Sequence, residues 1–194
     1  NAAALRRVLV DKGCLFQSTT DTEVIIHLIA ISSRGTIIDR LINAMSQIVG
    51  AYSLVAMNND SMIGARDPLG VRPLVLGELD GSYCIASETC ALDIIGARFI
   101  RDILPGEIVI IDKAGVKSVS PYKPKQSRLC IFEYIYFARP DSIMGGNSVY
   151  EYRKKMGIEL AKECKTNADI IIPVPDSGVP AALGYAEYSK IPFD

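Results

Sequence analysis

With 194 residues, 49% hydrophobic and 22% charged, the chain has material for one large domain, or one domain and part of another. A net charge of −1 with no long run of either sign argues against a general nucleic-acid or anionic-membrane surface, and no apolar run approaches the roughly 20 residues of a membrane span. The five cysteines are odd in number and include no C-x-x-C pair, which argues against a disulfide scaffold and fits core thiols in a reducing cytoplasm.

In chain order, residues 2–11 read as a helix with Leu5, Val8 and Leu9 on one face, and Gly13 supplies its stop. Thr20 and Glu23 have capping-box spacing ahead of the apolar run Val24, Ile25, Ile26, Leu28 and Ile29, where a helix begins. A further amphipathic helix carries Ile37, Ile38, Leu41, Ile42, Met45, Ile48 and Val49. From Gly50 the period shortens to two. Three hairpins are expected: 52–57 with 61–65, 74–79 with 83–86, and 108–111 with 116–119, with a short helix near 88–95. Helices followed by hairpins point to an α+β layer on antiparallel sheet.

The texture changes at Pro121-Tyr122-Lys123-Pro124-Lys125-Gln126-Ser127, a polar linker. Beyond it, Ser148 opens a helix to about Lys165, and residues 168–173 read as an apolar strand buried on both faces of a parallel sheet. The loop Pro175-Asp176-Ser177-Gly178 comes next, then a helix through Ala181, Leu183, Ala186 and Tyr188. Helix, buried strand, tight loop and helix are how a doubly wound α/β domain starts. The chain opens on Asn1-Ala2-Ala3 and closes on Ile191-Pro192-Phe193-Asp194; both ends read as cut, so the expectation is an internal piece of a longer protein.

Asp176-Ser177-Gly178 carries the clearest chemistry. A strand-to-helix junction offers free N–H groups and the positive end of the helix dipole, Gly178 allows close backbone approach, and Ser177 adds a hydroxyl for phosphate or Mg²⁺. The same residues read equally as an Asp-capped helix without a ligand. Ser177 as a hydrolase nucleophile fails on two counts: no G-x-S-x-G surrounds it, and His27, the chain's one histidine, lies on a distant apolar helix. Asp21 reads as part of its helix cap. The segment Arg66-Asp67-Pro68-Leu69-Gly70-Val71-Arg72-Pro73-Leu74 reads as an Arg-Asp-braced loop, and Cys14 as core.

The most distinctive stretch runs Cys130-Ile131-Phe132-Glu133-Tyr134-Ile135-Tyr136-Phe137-Ala138-Arg139-Pro140-Asp141-Ser142. It resembles the join between the glutaminase and phosphoribosyltransferase domains of the amidophosphoribosyltransferase family, and the resemblance extends along the whole chain. The segment 66–74 is similar to one shared by class II glutamine amidotransferases. The resemblance implies an α+β, Ntn-hydrolase-type glutaminase portion over residues 1–121, a linker at 122–128, and the start of an α/β phosphoribosyltransferase domain at 129–194. It implies glutamine-dependent amination of phosphoribosyl pyrophosphate (PRPP) to 5-phosphoribosylamine, the first step of purine synthesis, by a cytoplasmic homo-oligomer under purine-nucleotide feedback.

Residue by residue, the resemblance makes Asp21 a ligand of the glutamine α-amino group. It puts Asp176, Ser177 and Gly178 on the PRPP pyrophosphate, with Ser177 near Mg²⁺. Cys130 matches a cysteine that holds a [4Fe–4S] cluster in several members, although four thiolates are needed and this chain offers no plausible partners. The aromatics Phe132, Tyr134, Tyr136 and Phe137 are candidates to line an ammonia passage, or simply an aromatic core strand. The family's N-terminal cysteine nucleophile and H-N-G-N segment would precede Asn1, and its PRPP signature would come after Asp194, so no catalytic residue is expected here and the piece alone is expected to be inactive. The rivals are another class II amidotransferase such as asparagine synthetase, and a non-catalytic assembly module.

Overall fold

The computed structural model describes residues 1–33, 35–123 and 125–194; Pro124 of the predicted linker lies outside the described residues. It divides into two units, Asn1–Ala51 and Tyr52–Asp194. The first consists of helices α1 (Ala2–Asp11), α2 (Asp21–Ala30) and α3 (Ile37–Met45). Helix α1 stops where glycine permits it: Gly13 adopts φ +87°, its N–H donates to the Val10 carbonyl at 2.8 Å, and the Cys14 N–H donates to the Leu9 carbonyl at 3.0 Å. This is the paired bonding of a Schellman end. Leu9 is buried but Val8 is half exposed, so the buried face is narrower than the periodicity suggests. The expected capping box at Thr20 and Glu23 is absent, because Thr20 makes no side-chain cap bond. A box forms at α3 instead: the Asp39 N–H donates to Thr36 Oγ1 at 3.2 Å, and the Thr36 N–H to Asp39 Oδ2 at 3.0 Å.

The second unit realises all three hairpins. Strands β1 (Ser53–Met57), β2 (Ser61–Arg66), β3 (Val75–Leu79), β4 (Ser82–Ala86), β5 (Arg98–Asp102), β6 (Ile108–Asp112) and β7 (Gly115–Val119) form two antiparallel sheets, ordered β1-β2-β6-β7 and β4-β3-β5. Strand β5 went unforeseen, since two arginines and an aspartate in five residues disguise its alternation. Period-two geometry sorts β3 between two cores. Leu74 and Leu76 pack with Ile103 and Val109 between the sheets, whereas Val75 faces Leu92 and Ala97, with Leu92 on helix α4 (Thr89–Ile95).

After the sheets, residues 130–142 form a π-helical turn at Glu133–Phe137 and no strand. Glu133 and Tyr134 are buried, while Phe132, Tyr136 and Phe137 are about half exposed. The short hairpin β8 (Ile143–Met144) and β9 (Asn147–Ser148) leads into α5 (Val149–Glu163), where Ser148 Oγ accepts from the Glu151 N–H at 3.3 Å. Residues buried along α5 are Val149, Arg153, Gly157 and Ala161, one per turn, and its Gly157 meets helix α6 (Val179–Ser189). The predicted strand at 168–173 does not form. Ile171 alone bridges in parallel to Phe193, and Ile170 and Ile172 stand exposed. A strand exists only through a laddered partner, and here that partner is one residue long.

Candidate functional site

In the first unit, Asp21 is the exposed first residue of α2 and makes no hydrogen bond or ion pair among the described residues. Two residues on, Glu23 turns back to the preceding loop. Its carboxylate accepts from the Gln17 N–H at 2.6 Å, the Ser18 N–H at 2.8 Å and the Ser18 hydroxyl at 2.7 Å. From α1, Arg6 donates to the carbonyls of Ser18 at 2.8 Å and Thr20 at 3.0 Å, and its guanidinium lies 4.1 Å from the Phe16 ring centre. The His27 ring lies 4.4 Å from the same Phe16 ring, centre to centre, and 3.8 Å from Glu23 Oε1. It behaves as a helix-face residue.

The Ser18 hydroxyl first, then the loop N–H groups, hold the Glu23 carboxyl down at about 2. A carboxyl lowered on folding adds stability that is complete above its unfolded value near 4.5 and is lost as pH falls towards 2. Thermal melts between pH 5 and pH 2 should therefore show a loss of stability that is shallower in Glu23→Gln. Equal pH slopes would count against this role.

The 66–74 loop is braced through its backbone and not by an Arg–Asp pair. Arg66 donates to the carbonyls of Arg72, Ile103 and Gly70, and Asp67 accepts from the N–H groups of Leu69 and Val71. Gly70 sits at φ +59°, where an added Cβ would lie 2.7 Å from Pro105. The loop then reaches the π-helical turn. Arg72 Nε lies 2.6 Å from Glu133 Oε1, off the hydrogen-bond line, and its guanidinium covers the Phe137 ring at 4.7 Å. Burial pushes the Glu133 carboxyl up, against the pull of Arg72.

Glu88 and Thr89, at the start of α4, bond to the stretch that follows the π-helical turn. Glu88 accepts from the Arg139 N–H at 2.9 Å and the Ser142 hydroxyl at 2.7 Å, and Thr89 Oγ1 accepts from the Ile143 N–H at 2.8 Å. Buried Arg153 of α5 donates to the carbonyls of Tyr134 at 2.6 Å and Ala138 at 2.7 Å. None of Glu133, Glu88 or Arg153 stood out individually in the sequence. The one available signal was a carboxylate alone among aromatics.

The loop 175–178 sits at the N-terminus of α6 and contains a cis Pro175–Asp176 bond. Asp176 is exposed and Ser177 half-buried, and neither amide N–H has a partner among the described residues. Gly178 donates to the Val174 carbonyl at 3.2 Å, and a Cβ there would lie 2.5 Å from that oxygen, so the turn admits no larger residue without shifting. Two glycines fix the helix carrying this loop: a Cβ on Gly157 would fall 1.8 Å from the Ala181 carbonyl, and one on Gly184 would fall 2.0 Å from the Lys154 carbonyl. Lys154 also pairs with Glu187 at 2.7 Å. The arrangement can present two N–H donors, a hydroxyl and a carboxylate to an anion and its counter-cation.

Cys130 is half-buried, and its N–H donates to the Val71 carbonyl at 3.0 Å. No group of three or more His, Cys, Asp or Glu arranged to hold a metal ion occurs among the described residues. No helix among them is long and apolar enough to cross a membrane.

Residues 1–93 match the model of a glutamine amidotransferase domain. The amidophosphoribosyltransferase of Rhizobium etli is 54% identical over 100% of this chain, which spans 40% of that protein. The chloroplastic amidophosphoribosyltransferase 1 of Arabidopsis thaliana is 48% identical, with 34% of its length spanned, and the Bacillus subtilis protein is 43% identical, with 41% spanned. A solved structure of the glutamine PRPP amidotransferase from B. subtilis, complexed with ADP and GMP, superposes with a TM-score of 0.96 over the whole chain and 43% of its own length. The antiparallel-sheet α+β architecture is therefore that of an Ntn-type glutaminase portion. Over its whole length the chain is a homologue of the amidophosphoribosyltransferases, and it corresponds to a part of such a protein, about 40% of the R. etli relative.

Proposed function

We propose that the intact protein to which this chain belongs transfers the amide nitrogen of glutamine to PRPP, giving 5-phosphoribosylamine in purine synthesis. The carrying observation is the 54% identity to an amidophosphoribosyltransferase over 100% of the chain. In this reading the residues up to 121 belong to the glutaminase domain, 122–128 to the linker, and 129–194 to the start of the phosphoribosyltransferase domain. Asp21 binds the glutamine α-amino group by charge. Asp176, Ser177 and Gly178 bind the pyrophosphate of PRPP, through N–H groups at the start of α6. Asparagine synthetase, the nearest rival, does not call for this anion loop. The decisive assay is formation of 5-phosphoribosylamine from glutamine and PRPP by the intact protein; amination of aspartate instead would overturn the reading.

Mg²⁺ fits the 176–178 loop. This ion is commonly held by one or two carboxylates together with substrate phosphates, and Asp176 offers one, with the Ser177 hydroxyl beside it in sequence. Bound there, it would neutralise charge on the departing pyrophosphate, while the loop amides and Ser177 orient it. Ser177→Ala should raise the KM for PRPP roughly tenfold, about 1.4 kcal/mol, without affecting glutamine hydrolysis measured alone. An unchanged KM would count against the loop.

A [4Fe–4S] cluster does not fit this chain by itself, because no thiolates gather with Cys130 among the described residues. Cys130 would be a ligand only with three thiolates from elsewhere in the intact protein, and iron and acid-labile sulfide analysis decides that. A homo-oligomer in the cytoplasm, regulated by purine nucleotides, completes the proposal. The ADP and GMP bound to the B. subtilis structure support the last part.

A further inference from the structure

We propose that Glu23 and Arg6 are positioning residues for Asp21, clamping residues 17–20 so that the Asp21 carboxylate is presented to the ammonium group of a free amino acid. This rests on Asp21 being the glutamine ligand. Asp21 has no partner of its own among the described residues, so its placement depends on the backbone that delivers it. That backbone is held from both sides. The Glu23 carboxylate takes the N–H groups of Gln17 and Ser18 and the Ser18 hydroxyl. The Arg6 guanidinium donates to the carbonyls of Ser18 and Thr20, and the Thr20 N–H donates to Ser18 Oγ at 3.2 Å.

Three features make this more than loop tidying. Residues two apart on a helix point to nearly opposite sides, so while Glu23 faces the loop, Asp21 faces away from it. Consecutive backbone N–H groups form an anion-binding nest, and Glu23 fills it. The nest therefore cannot take the substrate's carboxylate, which leaves Asp21 as the group offered here, a selector for the ammonium end. Finally, Arg6 comes from α1 and Glu23 from α2, so the loop is tied to both helices it joins.

The test uses the intact enzyme carrying Glu23→Gln, with Asp21→Ala in parallel. Glutamine replaces one acceptor oxygen by an amide donor facing N–H groups, so the loop must shift. The glutamine KM should rise roughly tenfold or more, as misplacement of a binding group by about 1 Å does, with PRPP-dependent use of free ammonia retained. A merely structural role would lower both activities together.

If Asp21→Ala raises the glutamine KM and Glu23→Gln leaves it unchanged, the clamp is wrong and the Asp21 reading stands. An unchanged KM in Asp21→Ala would remove that reading and the clamp with it. Should Glu23→Gln fail to fold, Ser18→Ala keeps both backbone bonds to Glu23 while deleting the hydroxyl links. A KM rise of about threefold supports the clamp, and no rise overturns it.

Discussion

Gly157→Ala is expected to destabilise the α5–α6 pair by about 3 kcal/mol, lowering the urea midpoint and the melting temperature. Two effects oppose each other. Alanine in a helix interior is favoured over glycine by about 1 kcal/mol. Against that, the new methyl carbon would lie 1.8 Å from the Ala181 carbonyl oxygen and 2.6 Å from its carbon, with backbone and not a mobile side chain as the obstacle. The helices must separate, and burial along both helices is lost with them. Gly184→Ala meets the Lys154 carbonyl at 2.0 Å and should behave alike. Because Asp176–Gly178 lead directly into α6, the separation should also weaken the PRPP binding proposed for that loop in the intact protein. A raised melting temperature would mean that helix propensity wins and the crossing is looser than these distances imply.

Arg153→Met should also destabilise by about 3 kcal/mol, for a different reason. Burial works against the charge of Arg153, and replacing a buried ion by an apolar residue of similar length is often harmless. Here, though, the guanidinium is the donor to two buried carbonyls, Tyr134 and Ala138, at the π-helical turn. Each acceptor left without a donor costs about 1–3 kcal/mol, and two of them outweigh the relief of desolvation. Arg153→Lys, with one compact donor head, should recover part of the loss. Urea unfolding of the three proteins measures this directly, and a neutral methionine variant would show that desolvation dominates.

Much of the fold could be read from local order. Gly13 ended α1, three turn signals marked three hairpins, and Ser148 marked the start of α5. Those features rest on interactions within a few residues, which sequence spacing encodes. The candidate site was legible only in part. Residues 176–178 stood out because the free N–H groups of a loop entering a helix are a local feature, and Asp21 because of a family resemblance; the roles of both are proposals.

The misreadings share one cause. Thr20 and Glu23 have the spacing of a capping box, yet Glu23 finds better donors in Gln17 and Ser18, offered by a loop that Arg6 draws in from another helix. Residues 168–173 have the composition of a buried strand, but a strand is a property of a pair. Arg66 and Asp67 are adjacent in sequence and still bond to carbonyls and amides of the surrounding loop instead of to each other.

By itself the sequence determined which segments form the α-helices, where the hairpins turn and which family it resembles, because propensity, capping and period are short-range. Only the tertiary structure decided that Glu133 lies under Arg72, that Arg153 holds the π-helical turn, and that two glycines set the distance between α5 and α6. Those outcomes depend on which polar groups and which backbones meet across tens of residues. The free energy of a buried charge or a backbone crossing belongs to the meeting and not to either residue alone.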